Sequence, residues 1–241
     1  MEISLETGIT GVVGDTGLGY LNSLTQSHDG RLITVGGILR EGFPRKVDYF
    51  ISELDRTTGL GRTLFPIDTG GVRSLTFGPG GLLFGFSVPN SISQNPAING
   101  FFSFNLESGE ANGINNDFSR GHLQAMTLSP EGILYGWNIT FDDERVSSLA
   151  TIDHQTGELS LLDNGQDFKI FQSIDFDEDG RLYGLTQTNL YQIDVSTGRY
   201  TEIGRTQFND LRGLSIRPIP EPHTSLVAVL AALLFGFRRN R

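Results

Sequence analysis

Cysteine is absent from this 241-residue chain, and methionine and tryptophan are nearly absent, with two residues and one residue. The lack of cysteine excludes disulfide bonds, thiolate metal sites and cysteine nucleophiles. No amphipathic helical pattern of about 12 residues occurs before residue 222, which argues against a helical domain. Histidine is also scarce: the four residues show no HxH or HExxH spacing, so the sequence indicates no metallohydrolase site.

Glycine, by contrast, is abundant, with 31 residues, and the formal net charge is −10. Many glycines between short apolar segments are typical of an all-β domain with tight turns. A chain this acidic is poorly suited to contact a phosphate backbone, so we expect no nucleic-acid partner. The simplest interpretation is that the acidic surface keeps the protein soluble, and the more specific alternative is that it binds cations.

One pattern recurs along the chain and is clearest in residues 173–198. An apolar strand is followed by a Gly-containing turn, a second apolar or aromatic strand, an alternating third strand and a Thr-Gly or Ser-Gly turn. Successive copies lie 40 to 51 residues apart, which is the length of a four-stranded propeller blade. The equivalent core positions are Leu24, Leu75, Met126, Ile174 and Leu214.

These repeats predict an all-β fold: a β-propeller of about five four-stranded blades in residues 1–217. The closing blade is expected to combine residues 211–217 with residues 2–14, because a ring sealed by both chain ends has no open strand edges. The four fuller units correspond to residues 23–70, 74–120, 125–168 and 173–209.

Aromatic residues occupy equivalent second-strand positions in three units, and a glycine follows each of them. We expect the rings to pack between blades, and the glycines to allow close backbone approach near the axis. The aromatic–glycine pairs are Phe84–Gly85, Tyr135–Gly136 and Tyr183–Gly184.

Candidate ligand-binding residues lie in the connections between the second and third strands, which are long in three units. In a propeller these connections share one rim, where binding is common. On that rim Phe43 and Phe141 could stack on sugar, and Asp142 and Asp143 add acidic groups. Only one histidine, His122, is placed to approach the axis, because it directly precedes a first strand. The sequence indicates no catalytic residue, no metal site and no cofactor.

The C-terminal residues have a different composition. Residues 218–224 form a Pro-rich spacer that contains Pro220, Glu221 and Pro222, and a 13-residue apolar run over residues 225–237 follows. As a helix the run would be ~20 Å long, shorter than a hydrocarbon core of ~30 Å. The terminal arginines can snorkel, so we predict a transmembrane-type anchor helix in residues 225–241, with a buried terminal helix as the alternative.

This succession of a Pro-Glu-Pro motif, a short apolar segment and the pair Arg238 and Arg239 resembles the PEP-CTERM protein-sorting signal of Gram-negative bacteria. The resemblance covers only about the last 22 residues. It implies export, transient membrane anchoring and processing near the motif by an exosortase-type transpeptidase. It also implies a role in the cell envelope or extracellular matrix, often with exopolysaccharide. Members normally begin with a secretory leader, a pattern that residues 1–21 lack, so we expect a late start or a removed leader.

The combined expectation is a non-enzymatic propeller, exported to the surface or released to the extracellular matrix. Its expected partners are the membrane, an exosortase-type enzyme, and exopolysaccharide or another surface protein. The alternative is a propeller-fold lyase or hydrolase acting on extracellular polysaccharide or small molecules, and a third interpretation is a spacer without a ligand. An enzyme requires convergent polar residues and a perturbed titratable group at the channel mouth, whereas a scaffold has apolar or small residues there.

Overall fold

The computed structural model describes residues 2–3, 5–6, 8, 10–40, 46–67, 71–88, 98–117, 119–141, 145–162, 165–209 and 211–216. Within these ranges the chain forms eighteen strands, arranged as four antiparallel four-stranded sheets and one two-stranded ribbon. The fold is therefore all-β and propeller-like, as the repeats predicted.

Each four-stranded sheet is one blade, and its strands follow one another in chain order across the sheet. Blade 1 contains β3 (Tyr20–Gln26), β4 (Leu32–Arg40), β5 (Lys46–Leu54) and β6 (Gly61–Ile67). Blade 2 contains β7 (Gly71–Phe77), β8 (Leu83–Val88), β9 (Gly100–Phe104) and β10 (Ala111–Asn115). Blade 3 contains β11 (His122–Leu128), β12 (Leu134–Thr140), β13 (Val146–Ile152) and β14 (Leu159–Leu162). Blade 4 contains β15 (Ser173–Phe176), β16 (Leu182–Leu185), β17 (Asn189–Ile193) and β18 (Tyr200–Arg205). The ribbon pairs β1 (Glu2–Ile3) with β2 (Thr10–Gly11).

The turn between the third and fourth strands is closed by a side chain. In blade 1, Asp55 Oδ1 accepts hydrogen bonds from the backbone N–H groups of Thr57 and Thr58 at 2.9 and 2.8 Å, and Gly59 takes a φ of +77°. Hydrogen bonds from the Thr57 hydroxyl and from Thr58 lower the pKa of Asp55 to about 2. The turn is therefore stabilised above pH ~4, and this contribution is lost as the pH falls through the folded-state pKa. Equivalent turns are capped by Asn105, Asp153 and Asp194.

Hydrophobic cores lie between blades rather than within them. The second-strand aromatics take part, as predicted: the Phe84 ring lies 6.0 Å from His154 of blade 3, and the Tyr135 ring lies 5.4 Å from Phe176 of blade 4. Between blades 3 and 4, the fully buried Trp137 donates its indole N–H to the Lys169 carbonyl at 2.8 Å. Each sheet thus depends on its neighbours to cover its apolar faces.

The glycines that follow these aromatics are required for a reason that differs from the prediction. The nearest atoms to a Cβ at these positions belong to buried side chains, so the expectation of close backbone approach is wrong. Such a Cβ would lie 2.2 Å from Phe102 at Gly85, 2.6 Å from Leu123 at Gly136 and 2.8 Å from Phe171 at Gly184.

The predicted count of five blades is also wrong, because the described residues form four complete blades. The described residues among 2–14 contribute only the short ribbon, and residues 211–216 form no strand. In the complete blades, the innermost strand pairs with a second strand from the same hairpin. Within the described residues, which end at 216, residues 211–216 pair with no strand of this kind.

The two chain ends nevertheless fill the space between blades 4 and 1. Leu214 N donates to Ser173 Oγ at 3.0 Å, which repeats the contact between Leu75 N and Ser23 Oγ at 2.9 Å where blades 1 and 2 meet. On the other side, a Cβ at Gly213 would lie 2.7 Å from Leu24 Cβ. Leu5, from the N-terminal region, packs in the same apolar cluster as Leu211, Leu214, Tyr183 and Leu185.

Asp175 links this terminal segment to two blades, and its loss should weaken ring closure. Its carboxylate accepts from Thr127 Oγ1 at 2.7 Å and from Ile216 N at 2.8 Å. We expect Asp175→Ala to lower the free energy of unfolding by about 1–3 kcal/mol, because both donors lose a charged acceptor. Urea unfolding followed by fluorescence of the single tryptophan, Trp137, would measure the change.

The matched control is Glu107→Ala, which removes an exposed carboxylate from a turn of blade 2 and should change stability by less than ~0.5 kcal/mol. Equal stabilities for the two variants would show that Asp175 does not secure the closure.

Candidate functional site

A cleft of about 590 Å³ opens where the innermost strands β7 and β11 begin, beside the ends of the second strands β8 and β12. It therefore lies on the rim that carries the connections between second and third strands. Its lining combines polar and apolar side chains. These are Arg73, Val88, His122, Gln124, Ile139, Phe141, Ile170, Gln172 and Arg212.

Most of the polar lining comes from one repeated position. In blades 2 and 3 the register of the innermost strand shifts at Arg73 and at Gln124, so neither residue has a cross-strand partner there. Such bulges redirect a side chain out of the ladder. Gln172 directly precedes β15, and Arg212 holds the same position before Gly213 in the terminal segment. One repeat position thus brings four polar side chains to a single cleft.

The same position in blade 1 is also a bulge, but it serves a different purpose. Asn22 lies at the register shift between β3 and β4, and its amide donates to the Val72 carbonyl at 3.1 Å. This contact links blade 1 to blade 2. Asn22 is accordingly not part of the lining.

Two of the lining residues form an amide pair. Gln124, only 7% exposed, donates from Nε2 to Gln172 Oε1 at 3.0 Å. The bond uses one amide nitrogen and one amide oxygen, so the pair retains the Gln124 oxygen as an acceptor and the Gln172 nitrogen as a donor. This arrangement suits a ligand with hydroxyl groups, which both donate and accept.

The charged groups of the cleft are cationic. Arg73 and Arg212 contribute two guanidinium groups, and none of the described lining residues is acidic. Burial lowers the pKa of His122, and the charge of Arg73 lowers it further, so the imidazole is neutral near pH 7. The buried Nε of Arg73 has no hydrogen-bond partner among the described residues.

Phe141 forms an aromatic wall at the opening. Its side chain is 55% exposed, and its ring stacks on His122 with centroids 5.4 Å apart and an interplanar angle of 30°. Phe168 contacts it edge-on at 5.9 Å. An exposed, supported ring beside amide groups offers a flat apolar surface that can pack against a ligand ring.

Only part of the predicted site lies in the described residues. Phe141 lines the cleft, and so does His122, the histidine expected to approach the axis. Sugar stacking by Phe141 stays a prediction. The remaining predicted residues lie outside the described residues: Phe43, Asp142, Asp143, Pro220, Glu221, Pro222, Arg238 and Arg239.

The predicted membrane helix, in residues 225–241, also lies outside the described residues. Within the part of the chain that the structure describes, no helix combines the length and apolar character needed to cross a membrane.

Sequence reasoning missed the polar repeat position. Arg73, Gln124, Gln172 and Arg212 each directly precede the small residue that begins a recognised repeat, namely Ser74, Ala125, Ser173 and Gly213. A polar residue at that place in every copy was the available signal. Whether these polar side chains point into a cleft depends on the bulges, and the sequence does not reveal the bulges.

The acidic residues Asp177, Glu178 and Asp179 lie in the hairpin turn between β15 and β16. Asp177 Oδ1 accepts from the backbone N–H groups of Asp179 and Arg181 at 3.0 and 2.8 Å, and Arg181 Nε donates to its second oxygen at 2.8 Å. Among the described residues, no group of three or more histidine or acidic side chains is placed to hold a metal ion.

Solved structures with similar folds support the propeller assignment. TolB from Acinetobacter baumannii has a TM-score of 0.51 and 17% identity, over 79% of this chain and 45% of that chain. An auxiliary nutrient binding protein from Bacteroides thetaiotaomicron has a TM-score of 0.50 and 18% identity, over 77% of this chain and 41% of that chain. A gluconolactonase from Xanthomonas campestris has a TM-score of 0.51 and 12% identity, over 83% of this chain and 66% of that chain.

The chain therefore spans less than half the length of the first two proteins and just under two thirds of the third. At these identities the likeness shows the fold alone. A scan against protein-family models found no match, and a search of curated proteins found none either.

The proximity of Arg73 to His122 predicts a measurable coupling. Substituting Arg73→Gln removes a positive charge that lowers the pKa of His122, so the pKa should rise, although burial should still keep it below the usual value of about 6.5. NMR titration of the imidazole signals would detect the shift, with His122→Asn used for assignment. An unchanged His122 pKa in Arg73→Gln would contradict the coupling.

Proposed function

We propose that the protein is a non-enzymatic, exported propeller that binds a ligand in the axial cleft on the cell surface or in the extracellular matrix. The observation that carries this proposal is the convergence of Arg73, Gln124, Gln172 and Arg212, from three blades and the terminal segment, beside the exposed ring of Phe141. Hydrogen-bond donors, one amide acceptor and an aromatic surface provide the contacts that small polar ligands need.

The cleft composition argues against a spacer without a ligand. In blades 2 and 3 a β-bulge occurs at the position that supplies the polar side chain, and in blade 4 the first strand begins one residue after it. A spacer has no need for guanidinium and amide groups at a site where small or apolar residues would close the axis. Partly buried polar groups are retained more readily where a ligand completes their hydrogen bonds.

Display outside the cell is the second part of the proposal and rests on the tail. A Pro-rich spacer, an apolar run and terminal arginines follow the propeller in the order of a sorting signal. Basic residues after an apolar segment stay on the cytoplasmic side, which leaves the propeller outside. A surface location would bring the cleft into contact with exopolysaccharide.

An enzyme is the second candidate, and His122 favours it. A half-buried imidazole that is neutral near pH 7 can accept a proton, and Arg73 beside it can stabilise a developing negative charge. These features fit a lyase or hydrolase acting on polysaccharide. We rank this candidate lower because none of the described lining residues supplies a carboxylate or a hydroxyl as a second catalytic group.

Binding is tested with the purified full-length chain in detergent on a glycan array. We expect selective binding of at least one class of bacterial exopolysaccharide fragment, with Phe141→Ala weakening it several-fold because the sugar face loses its stacking surface. Leu161→Ala is the control, since it truncates another exposed apolar side chain, on β14 of blade 3.

Binding at background level to every glycan would contradict the carbohydrate-binding proposal. Release of shortened fragments from bound polymer, abolished by His122→Asn, would favour the enzyme instead.

The sorting signal is tested separately in an exosortase-containing bacterium, with the chain expressed behind a cleavable secretion leader. We expect membrane-associated precursor to be converted to a shorter product, and replacement of Pro220, Glu221 and Pro222 by alanine to leave only precursor. Glu178→Ala, in an exposed turn of blade 4, is the control and should process normally. Equal processing of the triple variant and the control would exclude this motif as the signal.

A further inference from the structure

We propose that the cleft selects a saccharide that carries a carboxylate, such as a uronate unit, and that the guanidinium groups of Arg73 and Arg212 take up that carboxylate. This inference rests on the proposed binding function and adds the chemical class of the ligand. It follows from the charge of the cleft, the state of Arg73 and the groups that surround the two arginines.

The described lining of the cleft has a charge opposite to that of the protein. The chain has a formal net charge of −10, with 28 acidic residues against 18 lysines and arginines, yet the described lining holds two arginines and no acidic residue. Arginine stays protonated at every accessible pH, so this cationic character is permanent. An acidic surface would repel anions in general, and a local pair of arginines therefore indicates a site that selects one.

The guanidinium of Arg73 has a hydrogen-bond donor that no described residue accepts. Its Nε is buried and makes no hydrogen bond to a described residue, and no salt bridge among the described residues includes Arg73. A buried donor without a partner destabilises the folded state, and pairing of the Arg73 guanidinium with an anion would offset that cost. The terminal N–H groups of a guanidinium match the two oxygens of a carboxylate.

The neighbouring groups distinguish a sugar acid from a bare anion. The amide pair of Gln124 and Gln172 retains one acceptor and one donor, which suit ring hydroxyls. Phe141 offers an exposed ring at the opening of the same cleft. A simple inorganic anion would use the arginines alone and leave these contacts unfilled.

Because burial and Arg73 keep His122 neutral near pH 7, the two arginines carry the positive charge among the described lining residues. Removing one guanidinium should therefore remove a large share of the preference for an acidic sugar. Removing a charge elsewhere on the protein should leave that preference unchanged, since exposed charges are screened over about 10 Å at 0.1 M salt.

The test compares uronate trisaccharides with their methyl esters, which differ in charge at the carboxyl group. Isothermal titration calorimetry of the full-length protein in detergent would use trigalacturonate, trimannuronate and a glucuronate trisaccharide, each beside its ester. We expect at least one acid to bind at least ~10-fold more tightly than its ester, as a charge-assisted hydrogen bond requires. Raising the salt concentration should reduce that preference.

Matched variants locate the effect. Arg73→Gln and Arg212→Gln should each weaken binding of the acid by ~10-fold or more while leaving ester binding unchanged. Arg73→Lys keeps the positive charge but lacks the paired N–H groups of a guanidinium, so it should weaken acid binding by a smaller factor. Arg199→Gln, which removes an exposed arginine before β18, is the control and should bind like the unchanged protein. Circular dichroism melts identify any variant that has failed to fold.

The outcomes separate this inference from the binding function. Equal affinity for acid and ester, or an acid preference that survives both arginine-to-glutamine variants, would overturn the carboxylate assignment while the binding function stands. Arginine-dependent binding of inorganic phosphate without binding of any saccharide would overturn it too. Binding of no saccharide in this panel and none on the array would overturn both proposals.

Discussion

Packing between neighbouring sheets is the constraint on which this structure depends. Each of the three main apolar clusters draws its side chains from two adjacent blades, so no blade has a core of its own. Twisted four-stranded sheets with two apolar faces are stable only where a neighbour covers each face. Blades 1 to 4 satisfy this requirement for one another, but the outer face of blade 4 and the facing side of blade 1 need another element.

Residues 211–216 and the described N-terminal residues supply that element, and within the described part of the chain they form no complete blade. Residues 211–216 contact Ser173 and Asp175 on blade 4 and approach Leu24 on blade 1. The N-terminal region runs nearer the periphery: Thr16 accepts from Gly61 N at 2.8 Å, and a Cβ at Gly8 would lie 3.2 Å from Gly204. Apolar coverage and a few hydrogen bonds thus close the ring at the place where the described residues form no complete sheet.

The cleft arises from the same repeat that builds the ring. The innermost strands must pack side by side, so the residue at which each begins lies near the equivalent residue of its neighbour. A bulge at that position frees the side chain from the ladder and directs it toward the common opening. The four polar side chains line the cleft and belong to none of the three main apolar clusters, so the cleft and the inter-blade cores depend on different residues at this position. This separation explains how one propeller architecture serves binding proteins and enzymes alike.

Much of the architecture could be predicted from the sequence, because strand alternation, turn glycines and a period of 40 to 51 residues are local signals. The all-β class, the four fuller repeats and the inter-blade positions of Phe84 and Tyr135 were predicted in this way. Composition alone also limited the chemistry, since a chain without cysteine forms no disulfide or thiolate site. The blade count and the site required the tertiary structure. Whether residues 211–216 form a strand depends on a partner strand far away in the chain, and the clustering of Arg73, Gln124, Gln172 and Arg212 depends on bulges and on the arrangement of blades around an axis. Both are long-range properties, which no local pattern of residues contains.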